Sequence, residues 1–411
     1  MRVCVCTSYP ADREPRGPRH ARAIWETGFC SSVTFIDLRP SNQTRVDIDV
    51  LQGIPELNWI SLVNPTRSTH RINWGLAKLQ KWLARSGHKY FGVLSNAALS
   101  PALRTLQRVL ESQRPDAIVA HNIDTLLPAY LAAKSTGAHL IFDSMEFHSD
   151  MGDDQDLVMM DVIKSIERLC LPACCMVLTS SVQVAEALNT TYGITNLLPL
   201  DNVPKLQPTL GRDKRDWLSL YWRNSTIGLG QRGLEEAIRA LQWVPKAVSL
   251  HLQGRHTPSG IAEVNTLAQS VGVFDRIAIH PPYRPEDAVK EASQFHIGLC
   301  LERAGIRNHE LTVSNKMFDY HMAGLAVISS DMPSLADVLR RSGGGLTYRA
   351  GDPADLARVI CGLHKDKSNY VRLSSNARQF AVEFGNLEVE MAKLKSAFRE
   401  KIRSGSPVNH A

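Results

Sequence analysis

The chain has 411 residues, of which 44% are hydrophobic and 21% charged. That balance excludes a disordered chain and, at this length, predicts two domains of about 200 residues. A formal net charge of +6 is too modest to argue for nucleic acid, and no apolar run approaches the ~20 residues needed to cross a bilayer.

The charge is unevenly spread. Between Arg67 and Arg114 there are nine Lys or Arg against a single acid, Glu111. This is either a solvated basic face or a surface that meets anionic lipid or a phosphorylated substrate. Eight cysteines at positions 4, 6, 30, 170, 174, 175, 300 and 361 form no C-x-x-C pair, so neither a zinc site nor a disulfide framework is indicated. Several lie in apolar runs such as "VCVC" and "IGLCL", where Cys acts as a small core residue. A reducing cytosol is expected. The opening "MRVCVCTSYP" turns polar too soon for a signal peptide.

In chain order, strands are predicted at 2–8, 32–38, 117–122, 140–144 and 175–181, with helical spacing at 18–28, 102–113 and 126–137 between them. Continuous apolar runs are what parallel strands buried on both faces require. The second half repeats the plan, with strands at 217–222, 248–254, 276–282, 296–301, 325–331 and 345–349 and helices at 232–244 and 352–366. Residues 199–216, with three prolines and no periodicity, read as a linker. The expected architecture is α/β: two Rossmann-like domains at 1–200 and 217–386, joined by a linker at 201–216. A C-terminal helix and tail at 387–411 would pack back across the linker. In such sheets ligands sit beyond the carboxyl ends of the strands.

Residues 71–91 place Ile72, Leu76, Leu79 and Leu83 at helical spacing, with Trp74 and Trp82 nearby and Lys78, Lys81, Arg85 and Lys89 around them. The stripe is expected to pack on the domain's own sheet; the competing reading is a helix docked on anionic lipid.

The segments "RGLEEAIRALQWVP", "SLHLQG", "DRIAIHPPY", "FHIGLCL" and "SNKMFDYHMAGLAVISSDMPSL" follow one another in the order of the donor domain of retaining glycosyltransferases of family four. "RPDAIVAHNIDTLLPAYLAAKSTGAHLIFDSMEFHSD" is similar to part of their acceptor domain. The resemblance covers nearly the whole chain. It implies the GT-B fold, a nucleotide-diphospho-sugar as co-substrate, no further cofactor and no metal. It also implies front-face transfer with retention of configuration.

That family often carries a Glu-x7-Glu pair whose second Glu binds the donor ribose. Glu302 and Glu310 have that spacing, but the residue five before Gly324 is Asp319, so the resemblance puts the ribose role on Asp319 and makes the pair a coincidence. Glu302 directly follows a strand, at the edge where ligands bind. Ser314 is expected to be the N-cap of the next helix, turning the amides of Asn315 and its neighbours toward an anion. Lys316 in that first turn opposes the helix dipole unless an anion is near.

Gly228, Gly230 and Gly233 form a flexible loop in which Arg232 stands for the family's phosphate-binding base. The earlier loop arginine of the family is missing, and only Arg223 could replace it. In the first domain the family's Gly-Gly pair is reduced to Gly17, flanked by Arg16 and followed by Arg19, a basic loop suited to an anionic acceptor or the donor diphosphate. His121, at a strand end, corresponds to a residue near the transferred sugar. Glu146 corresponds to the Glu of a "DSHE"-like segment. "GDDQD" at 152–156 reads as a solvated loop rather than a metal site, and "GGG" at 343–345 as a turn.

The expected catalytic residues are thus His121, Arg232 and Lys316. Donor contacts are expected from Gly233, Glu302, Ser314, Asn315 and Asp319, and acceptor-side contacts from Arg16, Gly17, Arg19 and Glu146. The function expected is sugar transfer to a glycan, glycolipid or lipid-linked acceptor in surface polysaccharide or glycoconjugate synthesis. The setting is cytoplasmic, with peripheral contact to an anionic membrane and no nucleic-acid partner. The alternatives are a GT-B-fold nucleotide-sugar epimerase and a non-catalytic nucleotide-sugar-binding subunit.

Overall fold

The structure is a computed structural model. It describes residues 1–404 except 65, 69, 152–155, 210–216 and 231. The "GDDQD" acids at 153 and 154, the end of the proposed linker and the tail from 405 therefore lie outside the described residues.

Two compact units are present, Met1–Leu200 with the chain from Met391 onward, and Asp201–Glu390. The first opens with β1 (Arg2–Thr7), α1 (Arg16–Trp25), β2 (Ser32–Pro40), α2 (Asp49–Gln52) and β3 (Asn58–Asn64). It continues through α3 (Arg71–Phe91), α4 (Ala102–Gln113), β4 (Ala117–His121), α5 (Ile123–Thr136) and β5 (His139–Ser144). It closes with α6 (Leu157–Cys170), β6 (Met176–Thr179), α7 (Val182–Tyr192) and β7 (Leu197–Pro199). The strands form one parallel sheet in the order β3-β2-β1-β4-β5-β6-β7.

The second unit runs β8 (Ser219–Ile227), α8 (Leu234–Ala240), β9 (Ser249–His256), α9 (Pro258–Ser270), β10 (Ile277–His280) and α10 (Ala288–Ala292). Then come β11 (Ile297–Cys300), α11 (Arg307–Leu311), α12 (Asn315–Met322), β12 (Ala326–Ser330), α13 (Pro333–Ser342) and β13 (Gly345–Tyr348). The helices α14 (Pro353–Lys365), α15 (Lys367–Glu383) and α16 (Leu387–Ser404) follow. Its sheet is also parallel, in the order β10-β9-β8-β11-β12-β13.

The central strands are buried along their whole length, as β4, β11 and β12 show. Burial on both faces is why the sequence there is dominated by Ala, Val, Ile and Leu and carries no Lys, Arg, Asp or Glu. Both sheets reverse direction next to their first strand, and at such a switch point the helices leave opposite faces and open a crevice at the carboxyl edge. From α16, Leu394 and Phe398 are fully buried in the core of the first unit with Val5, Val119 and Leu178. β8 runs on to Ile227 through an irregularity between Arg223 and Thr226. Much of the stretch expected to be loop is therefore strand, and the flexible glycines begin only at Gly228.

Candidate functional site

The second unit gathers its charged residues at the carboxyl edge of β8 and β11. The loop after β8 ends at Gly233, whose φ of +65° is left-handed. A Cβ there would lie 2.4 Å from that of Leu301, so only glycine fits in both respects. Arg232 just before it is also left-handed, at φ 41°, a conformation an L side chain rarely adopts. Its carbonyl is held by the indole N–H of Trp222 at 2.9 Å. This aims the guanidinium at the second residue after β11, with Arg232 Nη1 2.5 Å from Glu302 Oε1.

Glu302 is itself buried, and its amide donates to Ser330 Oγ at 2.9 Å. Its second oxygen, Oε2, accepts no hydrogen bond and faces His309 Nδ1 at 3.7 Å. Burial pushes the His309 pKa down, with Glu302 opposing, so the imidazole is neutral near pH 7.

Lys316 Nζ donates to Asn224 Oδ1 at 3.2 Å and lies 6.0 Å from the centre of the Trp222 ring. Burial lowers its pKa to about 8, Glu302 pulls it back up and Arg232 presses it further down. Arg232, Lys316 and Glu302 thus sense one another's charge. Ser314 takes the N-cap position of α12 in an extended conformation, but its hydroxyl makes no cap hydrogen bond, unlike the expected side-chain cap. Asn315 is exposed in the first turn.

Asp319, one turn on, is bound by Arg223 from β8, and the same guanidinium donates to the Tyr283 hydroxyl. Glu310 stands on the separate helix α11. Of the two carboxylates weighed for the ribose, the one that meets the β8 arginine is Asp319.

The first unit has a buried polar centre of its own. Asp143, at the end of β5, is completely buried. It accepts from Arg16 Nε at 2.7 Å and Nη2 at 3.0 Å, and its Oδ2 is 2.8 Å from His121 Nδ1. Arg16 Nη1 donates in addition to the Leu200 carbonyl at 3.0 Å. Burial would raise the Asp143 carboxyl, but Arg16 and then His121 and His20 override it and hold the group well below the ordinary carboxylate range.

His20 Nδ1 is 3.9 Å from Asp143 Oδ2, neither ring nitrogen has a hydrogen-bond partner, and burial keeps the ring neutral. The donor atoms of His20, His121 and Asp143 lie within 4.8 Å of one another, a spacing a metal ion can use. Arg16 already engages both oxygens of Asp143, however, and its fixed positive charge opposes a second cation there.

Arg16 and His121 are therefore brought together by Asp143, and both are buried rather than open to an acceptor. Gly17 is shaped by another carboxylate, Glu14, which accepts from the amides of Arg16 and Gly17, each at 3.0 Å. A Cβ on residue 17 would come within 2.9 Å of that carboxylate. Arg19 is half-buried on α1, and Glu146 is half-buried in the turn after β5, where its carbonyl receives Ser144 Oγ at 2.9 Å. Glu14, His20, Asp143, Asn224 and His309 were not singled out from the sequence. Asp143 could have been, since it lies in the segment "RPDAIVAHNIDTLLPAYLAAKSTGAHLIFDSMEFHSD" that carries the resemblance.

A pocket of the second unit lined by Thr209, Gly324, Tyr370, Ser374 and Arg378 contains none of these residues and lies away from the chemistry.

No family model matches the chain. The D-inositol 3-phosphate glycosyltransferase of Xylanimonas cellulosilytica is 25% identical over 174 residues, 40% of this chain and 38% of that protein. The match thus spans well under half of that relative's length. Among solved structures, the sucrose-phosphate synthase of Thermosynechococcus elongatus superposes with a TM-score of 0.71 at 13% identity, covering 98% of this chain and 100% of that one. Anabaena HepE in complex with UDP-glucose gives 0.69 at 11% identity, covering 97% and 100%. The lipopolysaccharide outer core galactosyltransferase WaaB gives 0.62 at 15% identity, covering 98% and 100%. The chain thus has the fold of these GT-B glycosyltransferases, built from two Rossmann-like α/β units.

Proposed function

We propose that the protein is a glycosyltransferase that moves a sugar from a nucleotide-diphospho-sugar to an acceptor hydroxyl with retention of configuration. The observation that carries this reading is the convergence of Arg232, Lys316 and buried Glu302 at the carboxyl edge of the second unit's sheet. In the reaction the bond from the anomeric carbon to the diphosphate oxygen breaks and a bond to the acceptor oxygen forms on the same face. The acceptor proton passes to the departing diphosphate, which leaves as the nucleoside diphosphate.

Negative charge grows on that leaving group, and Arg232 and Lys316 are the preorganised cations that stabilise it. They supply the charge on which a metal-free mechanism rests. Glu302 Oε2, which accepts no hydrogen bond, offers an acceptor to a hydroxyl of the donor sugar. Asp319 serves the ribose. The acceptor is a glycan, glycolipid or lipid-linked sugar in cell-surface polysaccharide or glycoconjugate synthesis, and the setting is cytoplasmic. A second reading, a nucleotide-sugar-binding subunit without turnover, is favoured by one feature: Asp319 is already engaged by Arg223.

A screen of UDP-, GDP-, ADP- and dTDP-sugars by thermal stabilisation tests the proposal. HepE is described in complex with UDP-glucose, so UDP-sugars are the first class to try. A donor at a hundred times its Kd adds ~2.7 kcal/mol, and the expected result is stabilisation by one nucleotide class. Failure of all four classes would overturn the reading, and a nucleotide that binds but is never released from its sugar would favour the second one. With the donor known, Asp319→Asn is expected to weaken its binding by about tenfold, the worth of one hydrogen bond to a charged group. Glu310→Gln is expected to change nothing. A weaker Glu310 variant would return the ribose role to the Glu-x7-Glu pair.

A further inference from the structure

Helix α3 is amphipathic in the reverse sense. The side it turns to its own unit carries Trp74, Ala77, Lys81, Ala84, Arg85 and His88, of which only His88 is fully buried. That side is fastened by polar contacts to the start of α6 and to the turn between α3 and α4. Arg85 Nη1 meets Asp156 Oδ2 at 2.5 Å, Arg85 Nε donates to the Ala98 carbonyl at 3.0 Å, and His88 Nε2 lies 2.9 Å from Asp161 Oδ2.

The apolar stripe points the other way. Ile72, Leu76, Leu79, Leu83 and Tyr90 share one line along the helix, and with Trp82 and Phe91 beside them they are 51–81% exposed. The expectation that this stripe packs on the domain's own sheet is thereby overturned, because the polar face took that place. A continuous exposed apolar strip of this length marks an interaction surface.

Its surroundings identify the partner. Arg71, Lys78 and Lys89 are exposed along a neighbouring line of the helix. From residue 57 to residue 110 the chain has eight Lys or Arg and no acid. A second copy paired about a two-fold axis would set these cations against one another. The two longest segments outside the described residues, "LGRDKRD" and "GSPVNHA", hold too few apolar side chains to cover the stripe. No helix of the described residues is long and apolar enough to cross a membrane. A helix that lies in the interface, leucines toward the acyl chains and lysines toward phosphates, meets all of these conditions.

We propose that α3 is a membrane-docking helix, with Ile72, Leu76, Leu79 and Leu83 inserted into an anionic bilayer surface and Arg71, Lys78 and Lys89 on its phosphates. The surface is independent of the glycosyl-transfer reading, so absence of donor binding would leave it standing.

The test is flotation of the full chain with phosphatidylcholine vesicles, with and without phosphatidylglycerol. Binding is expected with the anionic vesicles only and to weaken as salt rises. The triple variant Arg71→Glu/Lys78→Glu/Lys89→Glu should lose on the order of a hundredfold in partition, at ~1 kcal/mol for each basic residue. Leu76→Ser/Leu79→Ser/Leu83→Ser should lose binding as well. Both sets lie on exposed positions, so the melting temperature should stay within a degree or two of the parent's, which separates lost docking from lost fold. Equal flotation with both vesicle types or with neither would overturn the proposal. So would a concentration-dependent dimer, seen by sedimentation velocity without lipid and dissolved by the serine variant.

Discussion

Replacing Lys316 with methionine is expected to raise the melting temperature of the unliganded protein and to cut nucleotide-sugar turnover by about ten- to a hundredfold. Two opposite demands meet at this ammonium. It stands in the first turn of α12, where the helix dipole is unfavourable to a cation, close to Arg232 and with Asn224 as its hydrogen-bond acceptor. Burial, opposed by Glu302 and reinforced by Arg232, brings its pKa from 10.5 to about 8.

The folded pKa lies below the unfolded one, so the unfolded chain binds the proton more readily. The cost to stability is therefore complete below pH 8 and is relieved as pH rises from about 8 to 10.5. It amounts to at most about 3 kcal/mol, less because the side chain keeps some contact with water. Methionine fills the same space without the charge, so the variant should melt higher at pH 7 and lose the stability rise toward pH 10. A bound diphosphate reverses the sign, since it needs that charge. Thermal melts at pH 7 and 9.5, set beside kcat/KM, check both halves. A variant that melts lower and turns over normally would remove Lys316 from the site.

Asp143→Ala should destabilise the first unit by about 3–5 kcal/mol, the usual cost of breaking a buried ion pair from one side. Without the carboxylate, Arg16 keeps its charge in the core with the Leu200 carbonyl, and His121 loses the partner of Nδ1. The pair Arg16→Met/Asp143→Leu should recover much of the loss, because no buried charge is left unmatched.

The acid limb follows the same logic. Asp143 is held well below its unfolded pKa, first against burial by Arg16 and then by His121 and His20. Its contribution is present above about pH 4 and is lost as pH falls toward the depressed folded value. Urea unfolding at pH 7 and pH 3 should show a smaller pH dependence in Asp143→Ala than in the parent. A loss below about 1 kcal/mol at pH 7 would mean that the network is not the strong element its geometry implies.

Among the strands, the central ones were the most legible, because they are buried on both faces. β4, β11 and β12 present nothing to water, so their composition alone declares them. β3 escaped notice because it is an edge strand with half-exposed residues throughout, and α15 because most of its surface is polar. For α3 the spacing of Ile72, Leu76, Leu79 and Leu83 gave the helix correctly. Periodicity finds a stripe but carries no sign, and here the decisive residues were Arg85 and His88, whose partners Asp156 and Asp161 lie some seventy positions away.

The site was legible to the same degree. Arg232 and Glu302 could each be placed at a strand edge, but their contact spans seventy residues of sequence and only the fold reveals it. The left-handed turn at Gly233 that directs Arg232 was visible only as a glycine.

Glu14 adds one consequence for the first unit. Its carboxylate fills the amide cradle at the start of α1, where other anions would otherwise be drawn by two backbone N–H groups. An incoming phosphate or carboxylate there must displace a tethered rival, held two and three residues from the amides it occupies. Short tethers give effective concentrations on the order of millimolar or above. The loop is thus deaf to stray anions at ordinary cellular levels, and Gly17, with no side chain to push the rival away, keeps it so.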